Sequence, residues 1–272
     1  MNSGPYKYQR QGHPPDPQGH PAKPNGLIHT FFRPSDDLQK YPYLVPSQFF
    51  AYHTLKLLLE LVNKLEWTND FNNDITKLIS DLRKILFDDK PSESTITFQH
   101  PKHGLIYAYE IDGRDNRNLM DDSNIPSLLS LPYICPDDIP INHTIYQNTR
   151  KFILSSDNPW FFKGPALEGN RVFVVLLRYI FIISIGPGGP HCGPGMVWPL
   201  AIIIRGLTTT DDEEIRLCLK MLQTTHANTG FMHESISVNG PSHFTRSWFA
   251  WANSLFGEFI WKLYREKPHL LN

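Results

Sequence analysis

Apolar residues recur at helical spacing through much of this chain. Over 47–66 they stand at Phe50, Leu55, Leu58, Leu59, Val62 and Leu65, which predicts a helix with Ser47 as a candidate cap. Over 70–87 the set is Ile75, Leu78, Ile79, Leu82, Ile85 and Leu86, which predicts a second helix. The join Glu66-Trp67-Thr68-Asn69 is short, so the two are expected to pack antiparallel. The pattern changes over 94–112. There Thr95–Phe98 and Leu105–Ile111 read as two strands around a turn at His100–Gly104. Helical spacing returns over about 124–134, 142–155, 197–207, 211–226 and 246–265. Asp211-Asp212-Glu213-Glu214 places acids where a helix dipole favours them, so that run reads as helix stabilisation rather than catalysis. The expected fold is all-α dominated: an α/α toroid of helical hairpins with a small β-hairpin excursion, its loops carrying the unusual residues.

Composition narrows the function. The 272 residues are 40% hydrophobic, enough for one large domain or two small ones. A net charge of -1 gives no electrostatic footprint for nucleic acid or an anionic membrane. Cys135, Cys192 and Cys218 are too widely spaced for a zinc motif, so no structural metal is expected, and at most one disulfide is possible. Residues 1–26 are rich in Pro and Gly and read as a disordered or extended leader without the apolar stretch of a signal peptide. The sequon Asn142-His143-Thr144 is a weak secretory hint that leaves the compartment open.

Two segments concentrate chemistry. Phe32-Arg33-Pro34-Ser35-Asp36-Asp37 and Thr229-Gly230-Phe231-Met232-His233-Glu234-Ser235, the latter followed by Phe244–Glu258, set carboxylates beside aromatic rings and a guanidinium. A sugar-cleaving site needs two carboxylates for acid and base work and flat apolar faces for the pyranose. Six Trp and 12% aromatics fit that chemistry, although most such rings belong to the core. Other readings stand beside this one. Arg33–Asp37 also reads as a turn with a helix cap, His233-Glu234 as a surface pair, and Asp121-Asp122 before Asn124 as N-capping. Gly186-Pro187-Gly188-Gly189-Pro190-His191 suggests a phosphate loop, but it lacks the Lys-Ser/Thr ending and its prolines remove amides, which excludes nucleotide binding.

These segments, with Tyr107–Gly113, Met120–Tyr133, Asn158–Gly164, Gly189-Pro190-His191 and Trp198-Pro199, run in the order found in one family over residues 23–264. The chain resembles glycoside hydrolase family 125, exo-α-1,6-mannosidases with fungal members. The resemblance implies an (α/α)6 barrel and hydrolysis with inversion, without metal or other cofactor. It implies that Glu234 is the general base and that Asp36 or Asp37 is the general acid. It further implies sugar contacts from Arg33, Asp122, Asn124, His191, Trp198 and His233. The implied partner is a mannose-containing oligosaccharide or glycoprotein glycan, with no nucleic acid and no membrane. An inverting pair stands roughly 6.5–9.5 Å apart, leaving room for the attacking water. Adjacent aspartates in a dry cleft also raise one another's pKa, which helps keep one protonated.

Two departures from the family stand out. Its upstream motif of the type Thr-Gly-Asp-Ile-x-Ala-Met-Trp-Leu-Arg-Asp-Ser has no counterpart, so residues 27–268 correspond to the C-terminal part of the barrel. An inactive truncated fragment, at most a weak mannose-binding protein, is therefore the alternative reading. Asn170–Ile185 also interrupts a stretch the family runs through directly. Its apolar run Val172–Ile183, broken by Arg178, falls short of the ~20 residues a bilayer needs. It reads as a translated intron or gene-model error, or alternatively as a lineage-specific insertion packed as a buried strand or helix.

Overall fold

Paired helices and short strands alternate along the chain in a computed structural model that describes residues 23–67, 70–87, 90–164 and 185–271. Residues 1–22 of the leader and 170–184 of the apolar insertion lie outside the described residues. The end of the leader is tied down: Lys23 N donates to Asp112 O at 3.0 Å, and Tyr43 Oη donates to Lys23 O at 3.1 Å.

Strand β1 (Tyr43–Leu44) leads directly into helix α1 (Val45–Lys64). The cap position falls on Leu44, not Ser47, and no side chain caps it. Pro46 sits in the first turn instead, where its missing N–H costs nothing. Phe49, Tyr52 and Val62 are buried, whereas Phe50, Leu57, Leu61 and Leu65 are exposed. Helix α2 (Asp70–Leu86) packs on α1, burying Ile75, Leu82 and Leu86. The expected hairpin forms as β2 (Thr97–His100) and β3 (Gly104–Tyr107), with His100 opposite Gly104. The second expected strand splits, because β4 (Glu110–Ile111) leaves the hairpin and pairs between β1 and β5 (Arg117–Asn118).

The helix expected over 124–134 is confined to α3 (Leu131–Ile134). Pro126 lacks an amide and obstructs a helix before it, and buried side chains capture the amides that follow. Asp121 Oδ1 and Oδ2 accept from Leu128 N at 2.8 Å and Leu129 N at 3.0 Å. Helix α4 (Thr144–Ile153) is capped by His143, whose Nδ1 accepts from Tyr146 N. Strand β6 (Phe161–Lys163) pairs with β7 (Ile185–Pro187).

Strand β8 (Met196–Val197) precedes α5 (Pro199–Leu207), of which every residue but Arg205 is buried. Helices α6 (Asp212–Thr225) and α7 (Ala250–Glu266) both pack on α5. Gly206 permits the second contact, since a Cβ there would meet Phe259 Cζ at 2.5 Å. The acidic run acts structurally. Asp211 Oδ1 accepts from Glu213 N at 2.9 Å, and Glu214 is clamped by Arg205 at 2.7 Å and Arg150 at 3.1 Å. Strands β9 (Ser235–Ser237) and β10 (Gly240–Thr245) join β8 in an antiparallel sheet that periodicity did not predict. All three cysteines are free, which closes the disulfide alternative. No helix among the described residues is long and apolar enough to cross a membrane.

Candidate active site

The Arg33–Asp37 segment is a tight turn. Arg33 N donates to Asp37 O at 2.9 Å, and Asp36 N donates to Arg33 O at 3.0 Å. The turn places Asp36 at φ 65, a left-handed conformation that Asp tolerates better than most residues. This geometry separates the two acids. Asp36 is exposed, whereas Asp37 is partly buried. Ser35 Oγ lies 3.0 Å from Asp37 Oδ2 and 3.1 Å from Asp122 Oδ2. The carboxylate that shares Asp37's surroundings is therefore Asp122, not its neighbour Asp36.

Arg33 anchors the turn from within. Its Nε donates to Glu110 Oε1 at 2.6 Å, with both side chains buried. Glu110 Oε2 accepts from Lys40 N at 3.1 Å and Asn118 Nδ2 at 2.9 Å. The guanidinium also stands 5.6 Å over the Tyr109 ring. Burial alone would lower the Arg33 pKa, but the Glu110 hydrogen bond and charge outweigh it and raise it.

Burial raises the Asp122 carboxyl pKa. Asn124 N, at 3.3 Å from Oδ1, and the Arg33 charge oppose that rise, while Asp37 adds to it. Asp121 is fully enclosed, and burial raises it to about 8 against the two amides it accepts from. Ser123 Oγ stands 2.6 Å from Pro187 O and 2.7 Å from Gly188 O, pinning the glycine-proline turn on this wall. A Cβ on Gly189 would come within 2.8 Å of Asp122 Oδ1, so the glycine there serves close packing. The turn carries His191, whose Nδ1 is 3.5 Å from Asp37 Oδ1 and whose ring meets Trp198 edge-on at 6.2 Å.

Glu234 arrives on a different element, just before β9. Its amide donates to Thr245 O at 3.3 Å, and its Oε1 faces Arg246 Nε at 3.1 Å. His233 beside it is buried and stacked on Phe244 at 3.8 Å between ring centres, with Nδ1 3.0 Å from Ser247 O. Cys192 joins the two halves. Burial raises its thiol pKa, and its Sγ lies 3.9 Å from Thr245 Oγ1 on β10, the strand paired with β9.

The structure thus gathers Arg33, Asp37, Asp122, Asn124 and His191 on one wall and sets Glu234 and His233 on a sheet edge. Arg33, Asp122, Asn124, Trp198 and His233 are each less than a tenth exposed and form the frame. Asp37 and His191 are the accessible members of the first wall. The sequence reading gave no role to Ser35, Glu110 or Cys192. Glu110 carried a signal, a lone acid between apolar strand residues, whereas Ser35 carried none.

A family model described as metal-independent alpha-mannosidase (GH125) matches residues 1–261. The Meiotically up-regulated gene 157 protein of Schizosaccharomyces pombe is 38% identical over 266 residues, covering 93% of this chain and 45% of that protein. Among solved structures, the chain is similar to a metal-independent alpha mannosidase from Streptococcus pneumoniae, seen in a non-productive complex with alpha-1,6-mannobiose. That match has a TM-score of 0.78 and 33% identity, and covers 90% of this chain and 52% of that one. The chain spans about half the length of these two relatives. With the family model matched from end to end of the candidate site, the chain belongs to glycoside hydrolase family 125, the metal-independent α-mannosidases.

Proposed function

We propose that the complete protein is an inverting exo-α-1,6-mannosidase that removes terminal mannose from oligosaccharides or glycoprotein glycans. Glu234 is the general base and Asp37 the general acid. The observation that carries the choice of acid is the Ser35 hydroxyl, which joins Asp37 to buried Asp122 and leaves Asp36 in solvent. In this mechanism Glu234 takes a proton from water as its oxygen attacks the anomeric carbon, and Asp37 gives a proton to the departing glycosidic oxygen. Arg246 fixes the Glu234 carboxylate, and His191 offers the sugar a polar ring edge beside Asp37. The 1,6 linkage is supported by the disaccharide held in the pneumococcal relative.

The pairing of α1 with α2 and of α5 with α6 and α7 supports an (α/α)6 arrangement of which this chain forms part. The apolar face of α1 left exposed at Phe50, Leu57 and Leu61 supports further helices packing there in the complete molecule. That same exposure favours a second reading for the isolated chain, a weak mannose-binding fragment without turnover. Incubation of this chain and of the complete protein with α-1,6-mannobiose, followed by proton NMR, tests both readings. Release of β-mannose as the first product is the expected result. First-formed α-mannose overturns inversion, and no release by the complete protein overturns the activity.

A further inference from the structure

A serine hydroxyl carries one hydrogen, yet Ser35 Oγ faces two carboxylate oxygens, Asp37 Oδ2 at 3.0 Å and Asp122 Oδ2 at 3.1 Å. With both acids ionised, Ser35 could donate to only one, and its lone pairs would oppose the other across a buried gap. With one proton on the pair, every contact is a hydrogen bond. Either Asp122 donates to Ser35 and Ser35 to Asp37, or the chain runs in reverse. Moving two hydrogens along the line interconverts these states without changing the net charge.

We propose that Asp37 and Asp122 hold a single proton between them across the Ser35 hydroxyl, and that this is the proton Asp37 delivers to the leaving oxygen. The second clause rests on Asp37 being the general acid; the first does not. Asp122 and Ser35 are then positioning residues, acting through Asp37. Delivery leaves both carboxylates ionised, and the pair regains a proton from water before the next turnover.

The surroundings suit one shared charge. Arg33 reaches Asp122 with its field while neutralised by Glu110, and His191 lies 3.5 Å from Asp37 on the opposite oxygen. Tyr109, Asp121 and Cys192 are the other titratable groups facing Asp122, and burial shifts all three toward the neutral form. Burial likewise pushes the Asp122 carboxyl toward its protonated form. Two like charges in such a site titrate as a pair, with the upper step raised.

Carboxyl-carbon NMR on this chain with labelled aspartate tests the bridge without requiring activity. Asp37 and Asp122 are expected to show the same two titration steps, separated by about one pH unit or more. Ser35→Ala should uncouple them into independent single steps, and Ser35→Thr, which keeps the hydroxyl, should restore the coupling. Independent steps in the wild type, or unchanged coupling in Ser35→Ala, overturn the proposal. If Ser35→Ala does not fold, the wild-type curve and Ser35→Thr still decide.

In the complete protein, Ser35→Ala should move the basic limb of kcat/KM for α-1,6-mannobiose down by about one unit, roughly a tenfold loss there. It should lose far less on 2,4-dinitrophenyl α-mannoside, whose leaving group needs no proton. Equal losses on both substrates make Ser35 merely structural and overturn the delivery role. An Asp37→Asn variant that still cleaves mannobiose refutes the acid assignment, while the NMR result stands independently.

Discussion

Arg33 donates to Glu110 at 2.6 Å in the interior, and Glu110's other oxygen is fully occupied by Lys40 N and Asn118 Nδ2. The pair locks the Asp37 turn to strands β4 and β5. A buried pair contributes little net stability when intact, but removing one partner strands the other charge. Arg33→Ala is expected to cost about 3–5 kcal/mol in denaturant unfolding. Arg33→Lys should recover only part, because an ammonium does not reproduce the guanidinium geometry. A loss under about 1 kcal/mol for the alanine variant would mean that Glu110 is released to water rather than stranded.

The two aspartates of the turn should separate in kinetics. In the complete protein, Asp37→Asn is expected to reduce mannobiose hydrolysis by about 10²–10⁴-fold, the range of a lost general acid. Asp36→Asn should retain most of the rate, because Asp36 is exposed and sits at a left-handed position that Asn also tolerates. The reverse pattern in kcat would transfer the acid role to Asp36.

Glu234→Gln in the complete protein should abolish turnover while sugar binding persists. The amide keeps shape and a hydrogen-bonding oxygen but cannot take a proton from water. Mannose release and calorimetric binding of mannobiose measure the two effects separately. Turnover near wild type would assign the base to another residue.

The sequence made the long helices legible because their periodicity runs over many residues. Helices α1, α2 and α4–α7 each end within about four residues of the expected bounds. Strands β8–β10 were invisible: β8 is a two-residue strand paired with a distant segment, β9 is Ser-Ile-Ser, and β10 opens on Gly-Pro and is bulged against β9. The 124–130 stretch misled because its apolar spacing is helical while Asp121 and the local serines claim its amides. Within the site, the motif letters at Asp36-Asp37 and Glu234 were visible. Which aspartate turns inward was not, since that depends on a backbone reversal and on Asp122, a residue far along the chain.

Acid should loosen the C-terminus before the core. Asp212 at the start of α6 receives Lys267 and, at 2.7 Å, His269, and these hydrogen bonds hold its carboxyl down at about 2. A depressed carboxylate stabilises the fold fully above its unfolded value of about 3.9, and that contribution fades as pH falls through the folded value. Protection of the Lys267–Leu271 amides, measured against their intrinsic exchange rates, should therefore fall between about pH 4 and 2. Asp212→Asn should show fast exchange there already at neutral pH. Protection that does not change with pH in the wild type would show that the contact does not hold the tail.

Lys163 and Ile185 are antiparallel partners at the open end of the β6–β7 pair, so the chain leaves and re-enters the described fold at one place. Paired residues in an antiparallel ladder have Cα atoms about 5.5 Å or less apart, a gap that a turn of about 2–5 residues closes. Replacing 166–183 with a short Gly-containing turn should preserve the β6–β7 register, and with it the Gly188 N to Trp160 O bond of 2.7 Å that seats the His191 turn. Thermal melting within a few degrees of the parent is the expected result. Extending the excision through Ile185 should do worse, because it removes the strand partner of Lys163. A markedly lower melting temperature for the shorter excision would show that the apolar run contributes buried area, at the several-kcal/mol scale of a lost core element.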